Sequence, residues 1–493
     1  MVAMLLSRFG YHCHFAPVRN LASACRGVFG GKHRSRLVRN HCAVSAEGAR
    51  QFSRYSANTI LPSDETMKLD EYDIFGFDLD NTLLRYNLVE IVNLEYKVLA
   101  EFLVNKKGYD GRHLLKPVDD DLDFVRRGLF LDAEKGNVLQ LGADGYVIKC
   151  AHGTRFLSDS EIVEQYGPHR VWGLALKFIK DPLETWNGPM SNQIRALLDY
   201  FDMPASLVFA RAVDTIDEMH GSSPSKYPVW NDLLDGLVEI YSREHFANNR
   251  SPFFNAMKAD PGRYILKTSP EVIRWLKELK KTKATYVVTG SNIDFANLTA
   301  SEALGADWRQ LFDVVIGFAR KPGFFSMKRP FFAVEGMTET HPIDSNQLSL
   351  NKTFSQGNYA DLERLLCTKY DITLPRSIYV GDNFIQDIYT PSVHSNSDTV
   401  AISEEMLGEG MHKSDLTHEF GHMITSKCWG SFFGQAKHPS VWTTIAQKFS
   451  KICAPSVDEI IKYSMNQEID CFTCSNTILN GFHPSIPQSL HKS

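Results

Sequence analysis

Residues 71–86 of the 493-residue chain read EYDIFGFDLDNTLLRY. The run IFGF at 74–77 is short, apolar and flanked by acids, which predicts a buried strand. Directly after it come Asp78, Asp80, Asn81 and Thr82. In open α/β sheets, ligands bind beyond the carboxyl ends of the strands, so this one stretch proposes both a fold and a site.

Outward from there, a helical pattern runs from about Leu88 to Asn105, with Val89, Val92, Tyr96, Leu99 and Leu103 near one face. Strand–helix alternation then lapses and resumes near residue 265. PEVIRWLKELKK is amphipathic, with Pro270 suited to a first helical turn. ATYVVTGS is a second buried strand, NIDFANLTASEALG a helix ending at Gly305, and DVVIGFARKP a third strand. GNYADLERLLCTKYD is another helix, RSIYVGDN a fourth strand and TVAIS a fifth. Buried strands alternating with helices predict a doubly wound, Rossmann-like parallel α/β sheet with helices on both faces.

The first two strands lie about 200 residues apart, whereas a simple crossover needs only about a dozen residues. A domain-sized insertion is therefore expected between them. Within it, GNVLQLGADGYVIKCAHGT reads as a hairpin turning at Ala143-Asp144-Gly145, and residues 190–250 read as mostly helical. The expected organisation is a leader at 1–67, a catalytic core from 68–108 and 262–405, an α+β cap at 109–261, and a C-terminal extension at 406–493. The extension has no evident place in the sheet.

Composition narrows the function. The chain is 43% hydrophobic and 23% charged, ordinary for a globular protein. Its net charge of −5 offers no bulk basic character for nucleic acid. No apolar run approaches the roughly 18 residues that span a bilayer. Nine scattered cysteines fit a reducing compartment, and Cys471 and Cys474 in CFTC lack the strand–helix context of a redox pair. The first sixty residues differ: Glu47 is their one acid, while Arg8, Arg19, Arg26, Arg34, Arg36, Arg39, Arg50 and Arg54 are spread along them. That composition predicts a mitochondrial transit peptide and a matrix location, with RQFSRYSA resembling a processing site; a cytoplasmic protein is the alternative.

The predicted strand ends share one chemistry. Strand one ends in Asp78-Leu79-Asp80-Asn81-Thr82 and strand two in Thr289-Gly290-Ser291. Lys321 follows strand three, and strand four ends in Gly381-Asp382-Asn383 with Asp387 five residues beyond Asp382. Clustered carboxylates raise one another's pKa unless a cation sits among them. Hard oxygen ligands favour Mg²⁺, which bridges to phosphate. A threonine hydroxyl and a lysine ammonium suit phosphate oxygens. Singly, each element has an ordinary alternative: a turn for Asp-x-Asp, a helix cap for Thr289, a solvated Lys321. Four of them, each after its own buried strand, predict Mg²⁺-assisted phosphoryl transfer.

HEFGH, at 418–422, fits H-E-x-x-H, the helical zinc-protease pattern of two imidazoles and a general base. Thr425 and Cys428 stand where the third-ligand continuation needs glycine and histidine, and Glu459 is a distant carboxylate that a following helix could supply instead. Gly421 weakens a helix there. His418 and His422 are read as part of a surface loop.

FDLDNTL, VVTGS, the lysine of RKPGFF and YVGDNFIQDI resemble the four motifs of the haloacid dehalogenase superfamily. RGLFLDAEKGNVLQL, the CAHG after it and RKPGFF resemble the purine 5′-nucleotidase family within it, over residues 70–435. The resemblance implies that Asp78 attacks phosphorus while its other oxygen binds Mg²⁺. It implies that Asp80 gives Mg²⁺ its backbone carbonyl and acts as acid, then base, so the chain must turn at Leu79–Asp80. Thr289, the Gly290 amide and Lys321 would hold the phosphoryl group. Asp382 would be a metal ligand, and Asp387 would ligate through water or orient Lys321. The insertion would close over the site and select the leaving group.

Two departures bear on that selection. The family has Phe-Asn after its AHG, where this chain has Thr154-Arg155, and an asparagine where this chain has Gly290. His152 and Arg155 are candidates to touch substrate, with a hairpin-end histidine and a solvated arginine as the alternative. The expected activity is a Mg²⁺-dependent phosphohydrolase acting on a nucleoside monophosphate through an aspartyl-phosphate. The alternatives are another small phosphate, such as a sugar phosphate, or a phosphate-binding regulatory protein without turnover. A homo-oligomer is compatible with the sequence.

Overall fold

The structure is a computed structural model that describes residues 65–187, 189–409, 424–472 and 480–491. The leader up to residue 64, HEFGH with His418 and His422, and Cys474 lie outside the described residues.

A nine-stranded sheet forms the centre. In chain order its strands are β1 (Ile74–Phe77), β2 (Ala284–Val288), β3 (Val314–Gly317), β4 (Phe331–Glu335), β5 (Thr338–Ile343), β6 (Lys352–Gln356), β7 (Ser377–Gly381), β8 (Asp398–Ile402) and β9 (Ile452–Ala454). Their spatial order is β5-β4-β6-β3-β2-β1-β7-β8-β9. From β6 to β9 every pairing is parallel, and the β4–β5 hairpin adds an antiparallel edge. The five strands expected from sequence are all present. β1 lies between β2 and β7, with Phe77 in register with Val287 and Val380. The chain leaves β1 toward β2 on one side and later crosses to β7 on the other, so a topological switch point lies beside β1.

Glycine in IFGF has a steric cause. Gly76 is in register with Tyr286 and Tyr379, whose rings stack 6.1 Å apart. A Cβ on Gly76 would sit 2.2 Å from the Tyr286 ring.

Helix α1 (Leu88–Lys107) is capped by the Asn87 side chain and stopped by Gly108 in the left-handed region. Its buried stripe includes Ile91, Val92, Tyr96, Leu99 and Leu103, with Glu95 in the middle. Helix α2 (Pro270–Thr282) starts at the Ser269 cap and buries Val272, Leu276 and Leu279. Its Trp275 meets Phe75 and Phe77 edge-on. Helix α3 (Ile293–Leu304) follows β2 and α4 (Tyr359–Tyr370) precedes β7.

Glu95 carries a testable consequence. It is completely buried, and burial pushes its carboxyl well above the usual range; the Tyr241 hydroxyl opposes this while Asp202 and Asp199 add to it. A carboxyl raised on folding stays protonated in the native state after the unfolded chain has ionised. Native stability therefore falls as pH rises above about 4.5, by up to about 1.4 kcal/mol per unit. Glu95→Gln removes this dependence, so the variant is expected to gain on wild type as pH rises above about 4.5 in urea unfolding. A difference that stays constant with pH would show that Glu95 is not held neutral.

Between β1 and β2 the chain builds a second sheet, antiparallel, of Arg155–Phe156, Val147–His152, Asn137–Leu141, Leu129–Asp132 and Ile194–Leu197 in spatial order. The expected hairpin is present. The mostly helical reading of 190–250 is corrected at Ile194–Leu197, a strand whose four residues are all buried. A fully buried strand lacks the alternation that identifies a half-exposed one. Helices Ala205–His220 and Val229–Tyr241 follow it.

The segment after residue 406, unplaced from sequence, joins both sheets. β9 extends the central sheet beside β8. Upstream of it, Trp429 donates its indole N–H to the Phe124 carbonyl at 3.0 Å and Trp442 to the Gly128 carbonyl at 2.8 Å. Trp442 also stacks on Phe130. Cys471 is buried. Among the described residues, no helix is long and apolar enough to cross a membrane.

Candidate active site

At the carboxyl ends of β1, β2 and β7 the parallel sheet brings the motif residues together. Directly after β1, the Asp78 amide donates to the Val380 carbonyl of β7 at 2.8 Å. The chain then turns: Asn81 has φ 57°, and the Leu83 and Leu84 amides fold back to the Leu79 carbonyl. The turn expected at Leu79–Asp80 is thus present. It separates the two aspartates: Asp78 turns toward Lys321, and Asp80 toward β2.

Lys321, four residues past β3, reaches both Asp78 Oδ1 at 2.5 Å and Asp387 Oδ1 at 2.7 Å. All three side chains are buried, with Lys321 4% exposed. Asp387 is placed by its own loop. The Asn383 side chain accepts from the Ile385 and Gln386 amides and starts the helical segment Phe384–Tyr389. The Asn383 amide donates to Asp387 Oδ2 at 3.1 Å. Gly381 makes room, because a Cβ there would sit 2.4 Å from that of Asp387.

Asp78, Asp382 and Asp387 each offer a carboxylate oxygen within 4.8 Å of the others. The Asp80 carboxylate is not in that group. It accepts from the Tyr86 hydroxyl at 2.6 Å, the Ser291 hydroxyl at 2.8 Å and the Thr289 hydroxyl at 3.1 Å. Thr289 is fully buried and also accepts from the Ser291 amide, so its hydroxyl is committed to Asp80 and its neighbour. Gly290, Ser291 and Asn292, ahead of α3, line the pocket.

The pocket encloses about 640 Å³ of empty space, part of it open to solvent. Asp78, Asp80, Lys321, Asp382 and Asp387 line it on the central-sheet side; Asp199, Phe201 and Tyr241 line it from the inserted segment. Phe254 and Phe295 complete an aromatic wall, their rings 5.1 Å apart. His152 and Arg155 are not part of this lining. His152 bonds Asn137 and Asp217, Arg155 pairs with Glu161 on the surface, and Thr154 is held by Asp214.

Sequence reasoning missed Arg127. It stands in the insertion yet donates to Asp382, to its carbonyl at 2.5 Å and to Oδ2 at 3.1 Å, and pairs with Glu405 at 3.2 Å. The only signal was the RGLFLD likeness, which the arginine opens. Asp199, Tyr86 and Ser291 carried no signal.

The electrostatics follow from burial. It pushes the Asp78 carboxyl up to about 8, against Lys321 and with help from Asp387 and Asp80. Asp382 is raised well above the carboxylate range by burial, against Arg127 and with Asp78 and Asp199 adding to it. Burial works against the Lys321 ammonium, but Asp387 and Asp78 outweigh it and hold its pKa above the ordinary lysine value. Around Asp78, Asp382 and Asp387 the buried cations are already engaged, Lys321 by Asp78 and Asp387 and Arg127 by Asp382 and Glu405, so a further cation would relieve the repulsion among the carboxyls. An all-oxygen donor set fits a hard ion.

The parallel α/β sheet thus carries lysine-bridged aspartates at its switch point. The model of the 5′ nucleotidase family matches residues 63–419, and the chain belongs to that family of phosphomonoester hydrolases. It is 33% identical over 447 residues to 5′-nucleotidase domain-containing protein 1 of Homo sapiens, covering 85% of this chain and 96% of that one. The Bos taurus protein of the same name is 34% identical over 445 residues, with the same coverage. 5′-Nucleotidase domain-containing protein 2 of Rattus norvegicus is 25% identical over 372 residues, 74% of this chain and 62% of that one.

Proposed function

We propose that the protein is a Mg²⁺-dependent phosphohydrolase of the haloacid dehalogenase type that dephosphorylates a nucleoside monophosphate through an aspartyl-phosphate. The observation that carries this reading is the Lys321 bridge between Asp78 and Asp387, with Asp382 beside them. Asp78 and Asp382 would hold Mg²⁺ with their carboxylates and Asp80 with its backbone carbonyl. The bound ion would neutralise charge among the carboxylates and on the phosphoryl oxygens. The ion pair with Asp387 supports a role for that residue in orienting Lys321.

In the first step an Asp78 oxygen attacks phosphorus and the ester bond breaks. The Asp80 carboxyl gives its proton to the leaving oxygen. Asp80 then takes a proton from water, which attacks the same phosphorus, releasing inorganic phosphate and restoring Asp78. Three hydroxyls around Asp80, from Tyr86, Thr289 and Ser291, fit a side chain that must keep its orientation through both steps. Lys321, the Gly290 amide and Thr289 are the proposed phosphoryl ligands; the Thr289 hydroxyl would turn from Asp80 to do so, leaving Asp80 held by Tyr86 and Ser291.

The inserted segment is proposed as the cap, because Asp199, Phe201 and Tyr241 bring it to the pocket. The aromatic wall suits a planar base better than a sugar. The arginine-rich leader supports a mitochondrial matrix address, the cytoplasm being the alternative.

The test is phosphate release by purified residues 65–493 from a panel of nucleoside monophosphates and small generic phosphates. Release from a nucleotide with Mg²⁺, abolished by a chelator and restored by Mg²⁺, is the expected result. Release from sugar phosphates alone would move the substrate class. Tight phosphate binding without turnover would replace the enzyme with a binding protein.

A further inference from the structure

Arg127 belongs to the inserted segment, yet it donates twice to Asp382, one of the proposed metal ligands. Its side chain is 1% exposed. Nε donates to the Leu198 carbonyl at 2.7 Å, within the insertion. Nη1 faces both Glu405 oxygens, at 3.2 and 3.4 Å, and Nη2 donates to the carbonyl and Oδ2 of Asp382. The guanidinium lies 4.6 Å from the Tyr200 ring centroid. Glu405 is itself held, by the Tyr200 hydroxyl at 2.8 Å and the Ser403 hydroxyl at 2.6 Å.

The neighbours of Arg127 are fixed from the other side. Arg126 donates to the Gly430 carbonyl, and the Gly128 carbonyl accepts from Trp442. The segment after residue 424 thus holds the Arg126 side chain and the Gly128 carbonyl, on either side of Arg127. One planar group therefore joins the insertion, the β8 end and the loop after β7.

We propose that Arg127 is a positioning residue for metal binding: it fixes the Asp382 carboxylate through Oδ2, so that the carboxylate is aimed at a divalent cation shared with Asp78. This rests on the Mg²⁺ reading of the acidic cluster. A charge alone does not do this. Lysine would keep the positive charge but cannot bridge Leu198, Glu405 and Asp382 from one rigid plane. Residues that orient metal ligands typically change metal affinity about 10- to 100-fold when replaced.

The experiment is calorimetric Mg²⁺ titration of substrate-free protein, wild type beside Arg127→Lys and the isosteric Glu405→Gln, each checked for folding by circular dichroism. Arg127→Lys is expected to bind Mg²⁺ at least about tenfold more weakly, with kcat at saturating Mg²⁺ recovering to within about threefold of wild type. Glu405→Gln, which leaves Arg127 in place with one anchor weakened, is expected to lie between the two. Unchanged Mg²⁺ affinity in either folded variant overturns the proposal, whatever happens to turnover. A purely structural role would lower stability and leave the affinity of the folded fraction alone. Wild type that binds no Mg²⁺ would instead overturn the metal reading itself, so the two failures are distinguishable.

Discussion

Asp78→Asn is expected to lower phosphate release by about 10⁴-fold or more while the protein stays folded. The amide is isosteric, and its oxygen can still accept from Lys321, which keeps Asp387 as a partner. What is lost is the proposed nucleophile. Stability is expected to move the other way. The Asp78 carboxyl is raised on folding to about 8, so ionising it costs native stability as pH rises from about 4 toward that value. Asparagine has no such cost, and the variant should gain on metal-free wild type over this window. Steady-state kinetics and thermal unfolding of the same preparation test both halves. Residual activity above about one per cent, free of wild-type contamination, would remove Asp78 from the nucleophile's role.

The second large effect is Lys321→Met. Methionine fills similar volume but leaves Asp78 and Asp387 facing each other without their ammonium. Removing one partner of a buried ion pair costs about 3–5 kcal/mol, mainly because the other charge stays buried and unpaired. Above about pH 8, where Asp78 is ionised, two carboxylates are orphaned, so the upper end of that range is expected there in metal-free protein, together with loss of turnover. Saturating Mg²⁺ should recover part of the stability and little of the activity, because it supplies charge but not the ammonium's donors. Urea unfolding with and without Mg²⁺ measures this. A loss below about 1 kcal/mol would mean the two carboxyls are neutral in the native state and Lys321 is not their counter-charge.

The motif residues were legible because each follows a buried apolar run. IFGF, ATYVV, VVIG and SIYVG are continuous enough to be found without neighbours, and chemistry at a strand end is adjacent in sequence to the run that positions it. Ser291 was not legible as a site residue, because a hydroxyl three residues past a strand has many ordinary uses. Leu129–Asp132 and Ile194–Leu197 were missed because a charged side chain, Asp132 or Arg195, ends or interrupts an apolar run of only a few residues. β9 was missed for a related reason: it is only three residues long and lies far along the chain from the strand it pairs with.

Arg127 shows the limit differently. It lies 255 residues from Asp382, and nothing near it in sequence is acidic in a way that marks it as a partner. Its role exists only once the insertion, the segment after residue 424 and the β7 loop occupy the same space.

By itself, then, the sequence determined the parallel α/β class, the place of the insertion and the residues at the strand ends, because those depend on local hydrophobic periodicity and on what directly follows it. The tertiary structure alone decided which carboxylates share the Lys321 ammonium, which hydroxyls hold Asp80, that the pocket wall facing the acids is aromatic, and that the last segment binds both sheets. These depend on contacts across hundreds of residues, where spacing along the chain carries no information about distance in space.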